Sequence, residues 1–190
     1  IENMAGDKHF AEIFFTDVQV PVENRLGAEG EGWKVTVSAL ANERSSIGEV
    51  TQMFSKLDEL KDLVKSTRVQ GKPAAEDPAV RRQLARFETK IAAMKYNGLR
   101  YLTKQIKGEP LSSETSVNKL HRASLEIEMD DFAVSLSGEA GLQLKGGENA
   151  VGGGSWSKSA LNWPNVVIGG GTPNIQRNII AERILGLPKD

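Results

Sequence analysis

The sequence predicts an all-α fold, an antiparallel four-helix bundle preceded by a short β remnant. Three observations carry this. Apolar residues recur at three- and four-residue spacing in long segments, the segment ends carry helix start and stop signals, and one long glycine-rich loop precedes the last helical segment with no internal repeat.

The elements follow in order. Residues 10 to 20 mix alternating and β-branched character (Phe10, Ile13, Phe15, Val18, Val20) and end at Pro21, the pattern of a strand. Without neighbouring strands its edges are unpaired, so it is expected either to find a partner or to be poorly ordered. From about Glu31 the period becomes helical. Trp33, Val37, Leu40, Ile47, Val50, Phe54, Leu57 and Val64 predict one long first helix ending near Thr67, before a Gly71-Lys72-Pro73 turn.

Asp77 followed by Pro78 is an N-cap with proline at the first helical position. The second helix then carries Val80, Leu84, Phe87, Ile91, Met94, Gly98 and Leu102 on its apolar stripe and stops at Gly108-Glu109-Pro110. Ser112 or Ser113 caps a third, with Val117, Leu120, Leu125, Ile127, Met129, Phe132 and Leu136 inward and Ser137-Gly138 closing it. Residues 138 to 155 hold seven glycines and read as a loop. A short piece from Trp156 to Trp163 is broken by Pro164. The fourth helix starts at Pro173, turns Ile175, Ile179, Ile180 and Ile184 inward, and ends at Gly186.

Composition narrows the functional classes. At 190 residues and 39% apolar content the chain can build one sizeable domain. It has no cysteine, which excludes disulfides and thiolate metal sites, and a net charge of −1 offers no electrostatic reason to expect nucleic acid as a partner. His9 and His121 are far apart and neither belongs to a Glu-x-x-His pair, so no metal site is expected and both read as surface or partly buried residues. Asp58, Glu59 and Lys61 read as solvated helix faces. No apolar run reaches the roughly 18 residues of a membrane span. A soluble, intracellular, cytoplasmic protein is the expectation (mitochondrial matrix in a eukaryote), and the start at Ile1 suggests a fragment.

The chemistry concentrates near the C-terminal end. Gly169-Gly170-Gly171 permits close backbone approach and positive φ, and it runs directly into a capped helix whose first N–H groups lack intrahelical partners. The whole string Gly169-Gly170-Gly171-Thr172-Pro173-Asn174-Ile175-Gln176-Arg177, continuing to Ile179-Ile180-Ala181-Glu182-Arg183 and Leu185-Gly186-Leu187-Pro188, resembles the C-terminal signature of the acyl-CoA dehydrogenases. A second match, Phe14-Phe15-Thr16-Asp17-Val18-Gln19-Val20-Pro21 before Arg25-Leu26-Gly27 and Gly30-Glu31-Gly32-Trp33, is similar to that family's last β-strand and its entry into the helical domain. Gly71-Lys72-Pro73, Asp77-Pro78-Ala79-Val80-Arg81 and Ser116-Val117-Asn118-Lys119-Leu120 fall between them in the family's order, so the resemblance covers the whole chain.

The resemblance implies residues 1–27 as the end of a middle β-domain with its linker, and 28–190 as the C-terminal four-helix domain of a flavoenzyme of fatty acid metabolism. It implies FAD as cofactor, an acyl-CoA thioester as substrate, an electron-transfer flavoprotein-like acceptor, and α,β-dehydrogenation. That reaction needs a base for a weakly acidic α-proton and a clamp for the enolate oxygen. The family's common base precedes the glycine-threonine pair, and Gly170 stands there in this chain. Its backbone N–H remains available to the thioester oxygen. A minority of the family places a glutamate on the first helix ahead of an arginine, which Glu43-Arg44 matches, with Arg44 orienting or balancing the carboxylate. Glu43 lies between apolar Leu40 and Ile47, where desolvation raises a carboxylate's pKa.

For the flavin, the resemblance implies contacts from Gly171, Thr172, Pro173 and Asn174, from Gly138, and from Arg68, which matches an arginine that reaches the flavin of a neighbouring subunit. The aromatic residue that usually precedes the glycine is absent, since Arg68-Val69-Gln70 runs straight to Gly71. The fragment alone is expected to fold but to bind FAD weakly, because one wall of that site lies outside it. Apolar residues beside the core stripe, Leu60, Leu63 and Ile106, predict a homodimer or tetramer, with a heterotetramer as the variant. The alternative function is a non-catalytic assembly subunit of a hetero-oligomeric acyl-CoA dehydrogenase.

Overall fold

The computed structural model describes residues 1–43, 48–109 and 113–189, with the side chains of 40–43 and 48 outside that description. It is predominantly helical. In chain order the elements are α1 (Gly32–Glu43), α2 (Gly48–Ser66), a hairpin of β1 (Arg68–Val69) and β2 (Lys72–Pro73), α3 (Pro78–Ile106), α4 (Thr115–Ser137), α5 (Ser155–Leu161), α6 (Trp163–Ile168) and α7 (Pro173–Ile179), the last running on into a π-helical turn, Ile180–Ile184.

Helices α2, α3 and α4 pack on one another around a main core, with a smaller apolar cluster at the hairpin. In α2 the buried residues Val50, Met53, Leu57, Leu60 and Val64 repeat every three or four positions, which places them on one face. The first four meet Phe87, Ile91 and Met94 of α3 and Leu125, Met129 and Ala133 of α4, while Val64 joins a smaller cluster with Ala74 and Val80. The rings of Phe87 and Phe132 meet edge to face at 5.7 Å. Lys90–Glu128 and Asn118 to the Met94 carbonyl run α3 antiparallel to α4, and Lys61–Glu88 with the shared cluster of Val64 and Val80 runs it antiparallel to α2. Helix α7 packs on α4.

Several expectations are met at the element ends. Asp77 caps α3, its Oδ1 accepting from the Ala79 N–H at 2.7 Å with Pro78 behind it. The Gly71-Lys72-Pro73 turn is the hairpin, with Arg68 opposite Pro73 and Val69 opposite Lys72.

Other expectations are corrected. Residues 10 to 20 form no strand, because none of the described residues pairs with them to accept their backbone groups, and Phe14, Phe15 and Val20 are exposed. The long first helix is described as α1 and α2, with residues 44–47 between them outside the described residues. Helix α4 begins at Thr115 with Glu114 at its N-cap, not at a serine cap; Ser112 lies outside the described residues. Its inward face is more polar than its apolar spacing suggests, since Ser116, Asn118 and Asp130 are buried while Val117, Leu120 and Ile127 are only half-buried.

The glycine-rich loop contains two 3-10 turns, Gly138–Leu142 and Val151–Gly154, the first packed on α4. The piece that starts near Trp156 does break, at Asn162 between α5 and α6, just ahead of Pro164, which sits in the first turn of α6, where its missing N–H costs nothing. In α7 the fully buried residue is Gln176, whereas Ile175 is half exposed. Leu60 and Leu63 belong to the core and are not available to a partner, while Ile106 is exposed. Among the described residues no helix is long and apolar enough to cross a membrane.

Candidate functional site

The glycine turn is held from inside. Gly170 and Gly171 take φ of 70° and 99°, values that a Cβ-bearing residue adopts at a cost. Their carbonyls point to the amide of Gln176, whose Nε2 donates to Gly170 O at 2.8 Å and to Gly171 O at 3.3 Å. A Cβ on Gly171 would stand 2.6 Å from that same Nε2, so the third glycine is required by the amide that closes the turn. Thr172 caps α7, its Oγ1 accepting from the Ile175 N–H, and Pro173 follows. Here burial of a polar amide prevails over the apolar period of α7, because two turn carbonyls would otherwise be left without a donor.

Behind this turn lies a cavity of about 360 Å³ whose walls include Gly169, Gly170, Glu49, Lys119, Arg122 and Glu126. Lys119 crosses from α4 and donates to the Val166 carbonyl, its methylenes lying beside Gly170. No described residue accepts from the Gly170 N–H.

From the cavity a polar chain runs inward between α2, α4 and α5. Arg122 pairs with Glu49 in the first turn of α2 and, through Nε at 3.5 Å, with Glu126. Glu126 is 3.7 Å from the ammonium of Lys56, which pairs with Asp130 at 2.8 Å and donates to Ser159 Oγ at 2.9 Å. Lys56 also lies 5.9 Å from the centroid of the Trp156 ring. Burial pushes the Asp130 carboxyl up from its ordinary range, while Lys56 and the Ser159 hydroxyl pull it back down. Sequence reasoning missed this network. Its signal was there in Arg122, Glu126 and Asp130 at i, i+4, i+8, one helical face, with Glu49 and Lys56 two turns apart.

Of the predicted site residues, Gly170, Gly171, Thr172, Pro173 and Asn174 stand together at this turn. Arg68 and Gly138 stand elsewhere. Val69, beside Arg68, and Leu136, just ahead of Gly138, pack against the same small cluster of Val64, Ala74 and Val80, so the hairpin and the end of α4 share one end of the molecule. Along α4 that end is roughly 27 Å from Lys119, which supports the glycine turn, at 1.5 Å per residue. The Arg68 guanidinium is exposed and folds over the hairpin, its Nη2 donating to Gly71 O at 2.7 Å. Glu43 closes α1, but its side chain and all of Arg44 lie outside the described residues.

Comparison with known proteins agrees with the resemblance. The profile of the acyl-CoA dehydrogenase C-terminal domain matches residues 30–185. The acyl-CoA dehydrogenase IpdE1 of Mycolicibacterium smegmatis is 33% identical over 192 aligned residues, covering 100% of this chain and 45% of that protein. Among solved structures, the ChsE4-ChsE5 complex from Mycobacterium tuberculosis superposes with a TM-score of 0.81 at 26% identity, over 100% of this chain and 49% of that one. The FAD complex of PigA shares the fold, with a TM-score of 0.74 at 20% identity over 91% of this chain and 43% of PigA. The chain thus spans about half the length of the relatives it matches. On sequence and fold together, the chain belongs to the acyl-CoA dehydrogenase family and comprises its C-terminal domain.

Proposed function

We propose that this chain is the C-terminal part of an FAD-dependent acyl-CoA dehydrogenase that forms an α,β double bond in an acyl-CoA thioester, with residues 28–190 as the helical domain and 1–27 as the end of the preceding β-domain. The observation that carries this is the glycine turn: its carbonyls are drawn inward by Gln176 while the Gly170 N–H has no described acceptor. That polarity suits an enolate oxygen, which needs a donor already in place.

In this reading Glu43, at the end of α1, removes the α-proton, and Arg44 orients its carboxylate. Bound FAD supplies a hydride acceptor for the β-hydrogen. The donors present fit such a group. Thr172 Oγ1 already accepts from Ile175, so its O–H is left to donate outward, and the Asn174 amide stands exposed beside it. No heavy atom lies within 4 Å of where a Cβ on Gly138 would be, which leaves that backbone open to close approach. The roughly 27 Å along α4 between the two groups of residues supports a division of labour in which Arg68 and Gly138 serve the flavin of a second subunit. An oligomer is therefore part of the reading, with an electron-transfer flavoprotein as acceptor.

A second reading, a non-catalytic partner subunit, is favoured by one observation. The family's common base position is Gly170, held at φ 70°, so a glutamate there would be strained and would crowd the Lys119 side chain. Restoring the common base is thus not a simple exchange in this chain. The deciding experiment is Glu43→Gln in the full-length protein. Turnover is expected to fall by about three orders of magnitude or more with folding and flavin content retained. Near-normal turnover would assign the base elsewhere and favour the partner-subunit reading.

A further inference from the structure

Residues 168–171 close a β-turn, the Gly171 N–H donating to Ile168 O at 3.1 Å. Gly169 at φ −56°, ψ 136° and Gly170 at φ 70° have the values of a type II turn. The peptide that joins them carries the Gly170 N–H. Gly169 donates to Asn165 O and Gly171 to Ile168 O, so of the three glycine N–H groups only that of Gly170 has no acceptor among the described residues. With glycine at both central positions such a peptide rocks or flips at little cost, and a donor that moves is a poor clamp for developing charge.

One buried side chain holds the turn. Gln176 is fully buried, and its Nε2 donates to Gly170 O at 2.8 Å and to Gly171 O at 3.3 Å, the two carbonyls that follow the central peptide. The opposite orientation of the amide would set Oε1 against both carbonyls, which fixes the assignment. The Gln176 backbone N–H donates to Thr172 O in the first turn of α7, so the side chain ties the glycine turn to a helix that packs on α4. Its Oε1 is buried without a hydrogen-bond partner among the described residues. An apolar side chain would avoid that cost, which leaves the two bonds to the turn as what the glutamine provides.

We propose that Gln176 is a positioning residue for α-proton removal: by holding Gly170 O and Gly171 O it keeps the Gly170 N–H in place as donor to the enolate oxygen. This rests on the reading of Gly170 as that donor. As the base takes the proton, the C–H electron pair passes into the bond between the α-carbon and the carbonyl carbon, and the carbonyl π pair moves onto oxygen. The bond from the N–H therefore strengthens during the step itself, so a loosened turn costs kcat more than it costs binding. A neutral replacement of Gln176 leaves the charges of the cavity walls, Glu49, Lys119, Arg122 and Glu126, unchanged. A shift in the acidity of a bound thioester then reports the N–H.

The test uses full-length, flavin-loaded protein, the straight-chain acyl-CoA thioester that the wild type oxidises fastest with a ferrocenium acceptor, and the 3-thia analogue of that thioester. Sulfur at the β-position has no hydride to give, so the bound analogue stops at the ionised α-carbon, read by its long-wavelength charge-transfer absorbance. Gln176→Met, similar in length but without a donor, is expected to lower kcat by about ten- to a hundredfold with KM changed less than about threefold. The apparent pKa of the bound analogue should rise by about one to two, the same loss expressed in its ionisation constant. Gln176→Glu should recover part of kcat at low pH, where its buried carboxyl is protonated and donates once, and lose it relative to wild type as pH rises. Should Gln176→Met fail to fold, Gln176→Glu alone decides, and a ratio to wild-type kcat that stays flat with pH overturns the proposal. Lost flavin with unchanged kcat per bound flavin marks a merely structural role and also overturns it. Unchanged kcat and analogue pKa in a folded Gln176→Met, alongside a dead Glu43→Gln, overturn the positioning role but leave the base assignment standing. A wild type that oxidises no thioester removes the reading of Gly170 and the proposal together.

Discussion

The two ends of the α2–α4 body are held together by different forces. At the hairpin end, Val64, Ala74 and Val80 are buried against Val69, Phe132 and Leu136, an apolar contact that needs no particular orientation. Towards the glycine-turn end α2 and α4 meet also through Glu49, Arg122 and Glu126, in a charge chain that runs on to Lys56 and Asp130 further along the two helices, and the turn itself is held through Lys119 and Gln176. Apolar burial tolerates small shifts, whereas a buried charge chain tolerates few, since each member relies on its neighbour for what water would otherwise supply. The end that we assign to the chemistry is the end built from directional interactions. The other, where Arg68 stands exposed, needs only to present a surface.

Breaking the polar chain should produce the largest effect. Lys56→Met leaves Asp130 buried with only Ser159 as a hydrogen-bond partner, and should destabilise by about 3–5 kcal/mol near neutral pH. The sign of its pH dependence follows from burial. Asp130 has a folded-state pKa above its unfolded value, so its stabilising contribution is complete below the unfolded value and is lost as pH rises through the folded one. Without the ammonium that pulls it down, that loss grows, and the deficit of the variant should shrink as pH falls towards about 4. Urea midpoints at about pH 4 and 7 measure both; equal deficits would mean that Asp130 is not the group left uncompensated.

Gly171→Ala sharpens the same end. It combines a φ of 99° with a Cβ 2.6 Å from Gln176 Nε2, and should cost about 2–4 kcal/mol. A loss below about 1 kcal/mol in equilibrium unfolding would show that the amide can leave the turn cheaply. At the hairpin end, Val64→Ala removes apolar contact only, and should cost about 2 kcal/mol with the same value near pH 4 and 7. A pH-dependent loss there would erase the distinction between the two ends.

Legibility in the sequence follows the same division. The stripe of α3 and its Asp77-Pro78 start were readable because periodicity and capping are local, each satisfied within one turn of helix. The turn at residues 169–171 was readable because positive φ needs glycine wherever the chain lies. The inward face of α7 was not. Four isoleucines suggested an apolar face, and Gln176 took the buried place because the carbonyls of a turn five and six residues away required its amide. Leu60 and Leu63 were assigned to an outer face by spacing alone, and belong inside because α2 is covered by both α3 and α4.

What the sequence determined by itself is therefore the apolar stripes of α2 and α3, the capped starts of α3 and α7, and the family to which the C-terminal string points. Tertiary structure alone decided which charges meet. Arg122 and Glu49 are 73 positions apart and Lys56 and Asp130 are 74, so nothing local records the pairing. It also decided that the residues implied for flavin fall into two groups at opposite ends of α4, because the rise of a helix turns separation along the chain into distance. Local rules act through the backbone within a few residues, while burial and charge compensation depend on which faces the fold brings together.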